Sequence, residues 1–171
     1  MKTIVLPIGF LACLLAVIAG CDTPLPAAGK APVEGNHAVI SAGYDPAKID
    51  ISPLTELAPA DSSDQDWTIN VYLGLLDSFG SQIKSPGVFR FELYEYVQRS
   101  GEPKGRRIAV WPDIDLTDAA LNNNYWRDFL RAYQFALPVE PPAVDSYILQ
   151  VTFLSPPGKR LTDEFNLKRT K

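Results

Sequence analysis

A mainly β fold, a single antiparallel β-sandwich of about six to eight strands, is what this sequence predicts. Three observations lead there. From Trp67 onward apolar residues return at every second position in several runs, the period of a strand with one buried face. Turn-forming stretches such as "SGEPKGRR" and "SPPGKR" separate those runs. The same part of the chain holds sixteen aromatic residues, enough to fill a core between two sheets without disulfide help. A parallel α/β sheet would need clear helices between the strands, and the pattern lacks them.

The N-terminal segment has a different character. Lys2 supplies a short positive stretch, and Ile4 to Ile18 is almost unbroken apolar sequence. That is the length of a signal-peptide core and too short for a permanent spanning helix. It closes on Ile18–Ala19–Gly20–Cys21. This resembles the lipobox of bacterial lipoprotein precursors: a branched apolar residue, two small residues, then the cysteine. The resemblance implies a signal peptide over 1–20, cleavage between Gly20 and Cys21, and a diacylglycerol on the Cys21 thiol. It implies a protein held at the extracytoplasmic face of a bacterial membrane. Each buried methylene of an acyl chain contributes about 0.8 kcal/mol, so two or three chains anchor a protein without a spanning helix. Asp22 resembles the inner-membrane retention signal of some enterobacterial lipoproteins, a rule that differs between bacterial groups, so inner and outer membrane both stay open. Cys13, inside the apolar run, reads as a small hydrophobe.

Residues 21–47 are dominated by Pro, Ala and Gly, with no sustained hydrophobic period. Such a segment cannot bury enough apolar surface to offset its ordering entropy, so a disordered tether is expected. About 26 residues of random coil span roughly 30 Å. Charge divides with the organisation. Asp22 to Asp66 carries eight acids against Lys30 and Lys48, whereas Trp67 to Lys171 carries thirteen basic and twelve acidic residues. Nothing is basic enough to suggest nucleic acid as a partner.

The chemistry available to the body is narrow. Both cysteines, Cys13 and Cys21, precede it, and the one histidine, His37, falls in the expected tether. No Ser–His or Cys–His pair and no Cys or His metal cluster can form in the body. The usual neutral-pH base is missing, which points away from an enzyme.

The strands follow in order. "KIDISPLTEL" (Lys48–Leu57) alternates but is broken by Pro53, which suits an edge strand, and Ala58–Asp66 reads as a loop. "WTINVYLGLL" places Ile69, Val71, Leu73 and Leu75 on one face. "GVFRFELYEY" places Phe89, Phe91 and Leu93 on one face and Arg90, Glu92, Tyr94 and Tyr96 on the other. The connection between these two is short and turn-rich, so they are expected as antiparallel neighbours. "RIAVW" is a short strand ended by Pro112. "YILQVTFL" turns Tyr147, Leu149, Val151 and Phe153 to one side, and "LTDEFNL" is the last strand. The sandwich is thus expected over 67–168, followed by a basic tail at 169–171. Residues 118–137 fit helical and strand spacing equally. A helical turn capped by Thr117, then a strand from Phe129 to Leu137, is the preferred reading.

Three stretches carry candidate chemistry. Asp113, Asp115 and Thr117 spell D-x-D-x-T after "IAVW". This resembles the first motif of haloacid-dehalogenase phosphatases, in which the first Asp is the nucleophile and the second an acid/base. That family's parallel sheet and later Lys and acid motifs are not in view here, so no catalytic residue is assigned. Carboxylates at Asp113, Asp115 and Asp118 could instead converge on calcium, although Asp118 and Asn124 stand where an EF-hand loop needs Gly and Glu. The plain alternative is a solvated acidic loop leading into a helix. Asn122–Asn124 contains no glycosylation sequon and reads as turn chemistry. Trp67, Trp111 and Trp126 read as core. Arg90, Glu92, Tyr94 and Tyr96 share one face, an amphipathic interaction surface if it is open.

"SPGVFRFELYEY" (Ser85–Tyr96) resembles a strand of the transthyretin-like lipoprotein subunit of type VI secretion, a likeness of a dozen residues. It implies a β-sandwich that contacts other envelope proteins. The expectation is therefore a lipid-anchored envelope protein, a non-enzymatic binding or structural module with an envelope protein as partner and no cofactor. The alternative is a lipoprotein that binds a small ligand, a glycan or Ca²⁺.

Overall fold

The computed structural model describes residues 43–60, 66–99 and 101–169. The expected signal peptide, Cys21, His37 and most of the expected tether lie outside the described residues, as do Thr170 and Lys171 of the tail.

The described chain forms β1 (Lys48–Ile51), β2 (Glu56–Pro59), β3 (Trp67–Leu76), β4 (Gln82–Ile83), β5 (Val88–Tyr96), β6 (Lys104–Val110), β7 (Ile114–Asp115), α1 (Ala119–Tyr125), β8 (Trp126–Arg127), β9 (Ala132–Val139), β10 (Ser146–Leu154) and β11 (Arg160–Lys168). Eight of these strands have four residues or more; β4, β7 and β8 are two-residue pieces. They build two antiparallel sheets packed face to face, a β-sandwich. The first runs β1-β3-β9-β8, with β2 and β4 also on β3. The second runs β11-β10-β5-β6, with β7 on β5.

The expected pairing of β3 with β5 does not occur. Both edges of β3 are occupied, by β9 on one side and by β1 and β2 on the other. The turn-rich connection instead closes a β3–β4 hairpin and then carries the chain across to the second sheet. Gly87 makes that crossing possible. A Cβ there would lie 2.3 Å from the Phe153 ring and 2.7 Å from the Leu154 carbonyl oxygen, so only a residue without one passes.

The ambiguous segment resolves into both forms. α1 is capped by Asp118, whose Oδ1 accepts from Leu121 N at 2.8 Å, and not by Thr117. The Thr117 hydroxyl is committed to Asp115. The strand begins at Ala132, not Phe129. Residues 128–131 form a tight turn closed by Leu130 N to Arg127 O and Arg131 N to Asp128 O, with Arg131 at φ 51°. Phe129 therefore sits on a turn tip, 84 % exposed, while Tyr133, Phe135 and Leu137 keep the inward row.

The core lies between the two inward rows. Phe89 and Phe91 of β5 meet Tyr133 and Phe135 of β9, and Phe153 of β10 packs on Phe89. Phe89 is the hub, with ring centroids 5.3 Å from Tyr133, 5.2 Å from Phe135 and 4.9 Å from Phe153. These tilted contacts suit the aromatic quadrupole. Trp67 is buried as expected, and Trp111 and Trp126 pack partly buried against the core.

One side of the sandwich is fastened across the sheets. Asp163 stands in the inward row of β11 and accepts from the Ile51 amide at 3.0 Å. Arg169 bridges Leu57 and stacks over the Trp67 ring at 5.1 Å. The edge amide of β1 thus finds a partner on the opposite sheet.

Gly87→Ala is expected to cost about 1–3 kcal/mol through overpacking. Urea unfolding should show a lower midpoint with an unchanged slope. Asp163→Ala leaves the Ile51 amide without its partner and is expected to cost about 1–3 kcal/mol, read in the same assay.

Candidate functional site

The face predicted from "RFELYEY" exists and is wider than the sequence suggested. Because side chains alternate along β5, Arg90, Glu92, Tyr94 and Tyr96 all stand on the outer side of the second sheet, away from Phe89, Phe91 and Leu93. Register brings further groups beside them: Gln150 and Thr152 from β10, Lys104 and Arg107 from β6, and Glu164 and Thr162 from β11.

These side chains form linked pairs. Arg90 makes a bidentate pair with Asp113, at 2.9 and 2.8 Å. Glu92 accepts from Arg107 at 3.0 Å, from the Tyr94 hydroxyl at 3.2 Å and from Gln150 at 3.3 Å. Lys104 donates to Gln150 and to Glu164 and lies 4.8 Å over the Tyr94 ring. Thr152 and Thr162 share a hydrogen bond at 3.3 Å. Within this network Arg90, Lys104 and Arg107 balance Glu92, Asp113 and Glu164, while Arg160 and Lys168 on the outer row of β11 add positive charge beside it. Exposed pairs of this kind contribute about 0–1 kcal/mol each to stability. What the network does is hold long side chains in one arrangement, which lowers the ordering cost of binding.

Tyr96 ends the row. It is 37 % exposed and lines a groove of about 580 Å³ with Gln98, Asp145, Ser146, Asn166 and Lys168. A second groove, of about 280 Å³, opens between β6 and the β9–β10 connection, lined by Arg106, Ile108, Glu95, Val144 and Tyr147 among others.

The three acids considered for calcium are committed to different partners. Asp113 pairs with Arg90, Asp115 accepts from the Thr117 amide and hydroxyl at 2.9 and 2.7 Å, and Asp118 caps α1. No group of three or more His, Cys, Asp or Glu side chains converges among the described residues. The bond from Arg90 holds the Asp113 carboxyl below the ordinary carboxylate range, and the bonds from Thr117 do the same for Asp115. The strand pairing around Asp113 is antiparallel, unlike the parallel sheet of the phosphatase family that D-x-D-x-T resembles.

The asparagine run is not a turn. It lies in α1, and Asn122 is buried. Its amide nitrogen donates to Ser85 O and Leu116 O at 3.0 and 2.9 Å, and its oxygen accepts from the Tyr133 hydroxyl at 2.9 Å. Burial pushes the Tyr133 phenol up, against the bond that the Ser85 amide donates to its oxygen. This polar cluster ties α1 to the core. The polar positions of β10 and β11 were readable as alternation, but nothing in the sequence paired them with β5.

Compared with known proteins, the chain matches no protein-family model and no curated protein.

Arg90→Gln is expected to raise the Asp113 titration into the ordinary carboxylate range, read by carboxyl ¹³C NMR. Since the pair depresses the folded-state value, its contribution is present above pH about 4 and is lost as pH falls through the Asp113 titration. The variant should lose that acid-side dependence.

Proposed function

We propose that this chain is a lipid-anchored extracytoplasmic lipoprotein whose β-sandwich is a non-enzymatic protein-binding module. The anchor rests on the Ile18–Cys21 pattern. The binding role rests on one observation: the preorganised, charge-paired network on the outer face of the second sheet runs into an open groove at Tyr96. Aromatic residues beside matched polar groups are what recognition surfaces favour. The partner is an envelope protein that engages the Tyr94–Tyr96 end, in keeping with the likeness of Ser85–Tyr96 to the secretion-system subunit.

A second reading, binding of a small ligand or glycan, draws on the groove that Tyr147 and Arg106 line. At about 280 Å³ it falls just below the range of ligand sites, which begins near roughly 300 Å³.

A photocrosslinking residue in place of Tyr96 in the lipidated protein is expected to capture a discrete envelope protein in cells. The same residue at Thr68, on the outer side of the other sheet, should not. Capture of no protein from either position would sink the binding role and turn attention to glycan titrations. Cys21→Ser is expected to release the protein from the membrane. Mass spectrometry of the mature N-terminal peptide should show acyl chains on Cys21, and an unmodified Cys21 would remove the anchor.

A further inference from the structure

The end of the sandwich at which the described chain begins carries exposed aromatic side chains on rigid turns. Gly43 is fixed there: its carbonyl accepts from the Ser78 amide at 3.2 Å and the Ser78 hydroxyl at 2.8 Å. Gly43 has φ +83°, and a Cβ on it would meet Ser78 Oγ at 2.9 Å, so the entry point is shaped for glycine. The next residue, Tyr44, is 68 % exposed and packs against Phe79, 73 % exposed, with centroids 6.0 Å apart.

Phe79 is held outward by its turn. The nearly buried Asp77 carboxylate accepts from the Phe79 amide at 2.9 Å and the Ser81 amide at 2.8 Å. Asp77 N also donates to Ser81 O, and Gly80 supplies φ +82°. The neighbouring β8–β9 turn raises Phe129. It lies at the same end because Tyr133 is opposite Leu73 in register, and Arg131 donates to Gln82 O at 3.3 Å. Two tight turns thus carry Phe at their tips, where polar residues are usual.

We propose that this end docks on the phospholipid surface, with Tyr44, Phe79 and Phe129 seated at the headgroup level. The inference rests on the lipid-anchor reading. The occupant is argued from where the chain leads: it leaves the sandwich at Gly43, against the Phe79 turn, only 22 positions after Cys21. A tether of that length, as its composition leads one to expect, keeps the end within reach of the bilayer and gives an effective concentration on the order of mM, so a weak contact suffices. Aromatic side chains favour the interface between water and hydrocarbon. Lys48, Lys84 and Arg131 are offset by Asp45, Asp50 and Asp128. The contact therefore depends on the rings and not on anionic lipid.

Hydroxyl-radical footprinting of the full mature chain tests this. Cys21 is coupled through maleimide-lipid to vesicles of phosphatidylethanolamine and phosphatidylglycerol, and the reference is the same chain in solution with Cys21 capped by a soluble maleimide. Coupling imposes the anchor, so failure here is separate from failure of acylation in the cell. Oxidation of Tyr44, Phe79 and Phe129 is expected to slow several-fold on vesicles and to stay slow in added salt, with Tyr96 at the other end unchanged. In a Phe79→Ser/Phe129→Ser variant, Tyr44 should return to its solution rate. Equal oxidation on vesicles and in solution would overturn the proposal. So would protection that arises only after solubilised envelope proteins are added, since the surface would then belong to a protein partner.

Discussion

The packing of Phe89 and Phe91 against Tyr133 and Phe135 is the interaction on which the structure depends. β5 belongs to the second sheet and β9 to the first, and no strand pairing joins the two among the described residues. No cysteine follows Cys21, so no disulfide can replace the contact. Aromatic pairs in tilted geometry contribute about 0.5–1.5 kcal/mol beyond the area they bury. Phe89 alone meets three such partners from two other strands. The same cluster positions α1, because Tyr125 lies against Phe135 and the Tyr133 hydroxyl reaches Asn122.

With the sheets fixed face to face, their edges remain to be managed. On one side the edge is satisfied internally, by Asp163 on the Ile51 amide and by the Leu57–Arg169 bridge. On the other side β6 is an edge strand with no further strand beside it among the described residues, and it carries two register shifts together with Lys104, Arg106 and Arg107. Bulges and basic residues are the usual protection against unwanted strand pairing. In β9, Pro138 has no amide to offer, and its carbonyl is taken by the Trp111 indole at 2.8 Å. Recognition is therefore better served by the outer faces and the ends of the sandwich than by strand addition.

The two proposed contacts use different parts of this frame. The Tyr94–Tyr96 row and its groove lie toward the β5–β6 end, while Tyr44, Phe79 and Phe129 lie at the end where the chain enters. A domain seated on lipid by the entry end would present the Tyr96 end away from the bilayer. The two readings are compatible, and each is tested on its own residues.

By itself the sequence determined the class of fold and the inward rows. Period-two alternation assigns each residue of β3, β5 and β10 to a face, because the pleat alternates whatever the strand pairs with. The face of Arg90, Glu92, Tyr94 and Tyr96 was legible for that reason. Local patterns also announced a helical turn followed by a strand after Thr117, though not the cap at Asp118 or the start at Ala132. Tertiary structure alone decided which strands are neighbours. Alternation and turn residues record local geometry, and pairing depends on which edges other strands have already taken, so β3 and β5 part despite their short connection. It also decided the burial of Asn122, the pairing of Asp113 with Arg90, the hub at Glu92 and the exposure of Phe129. The first three join residues distant in the chain, which no local propensity encodes, and Phe129 is exposed because a tight turn at 128–131 interrupts the alternation.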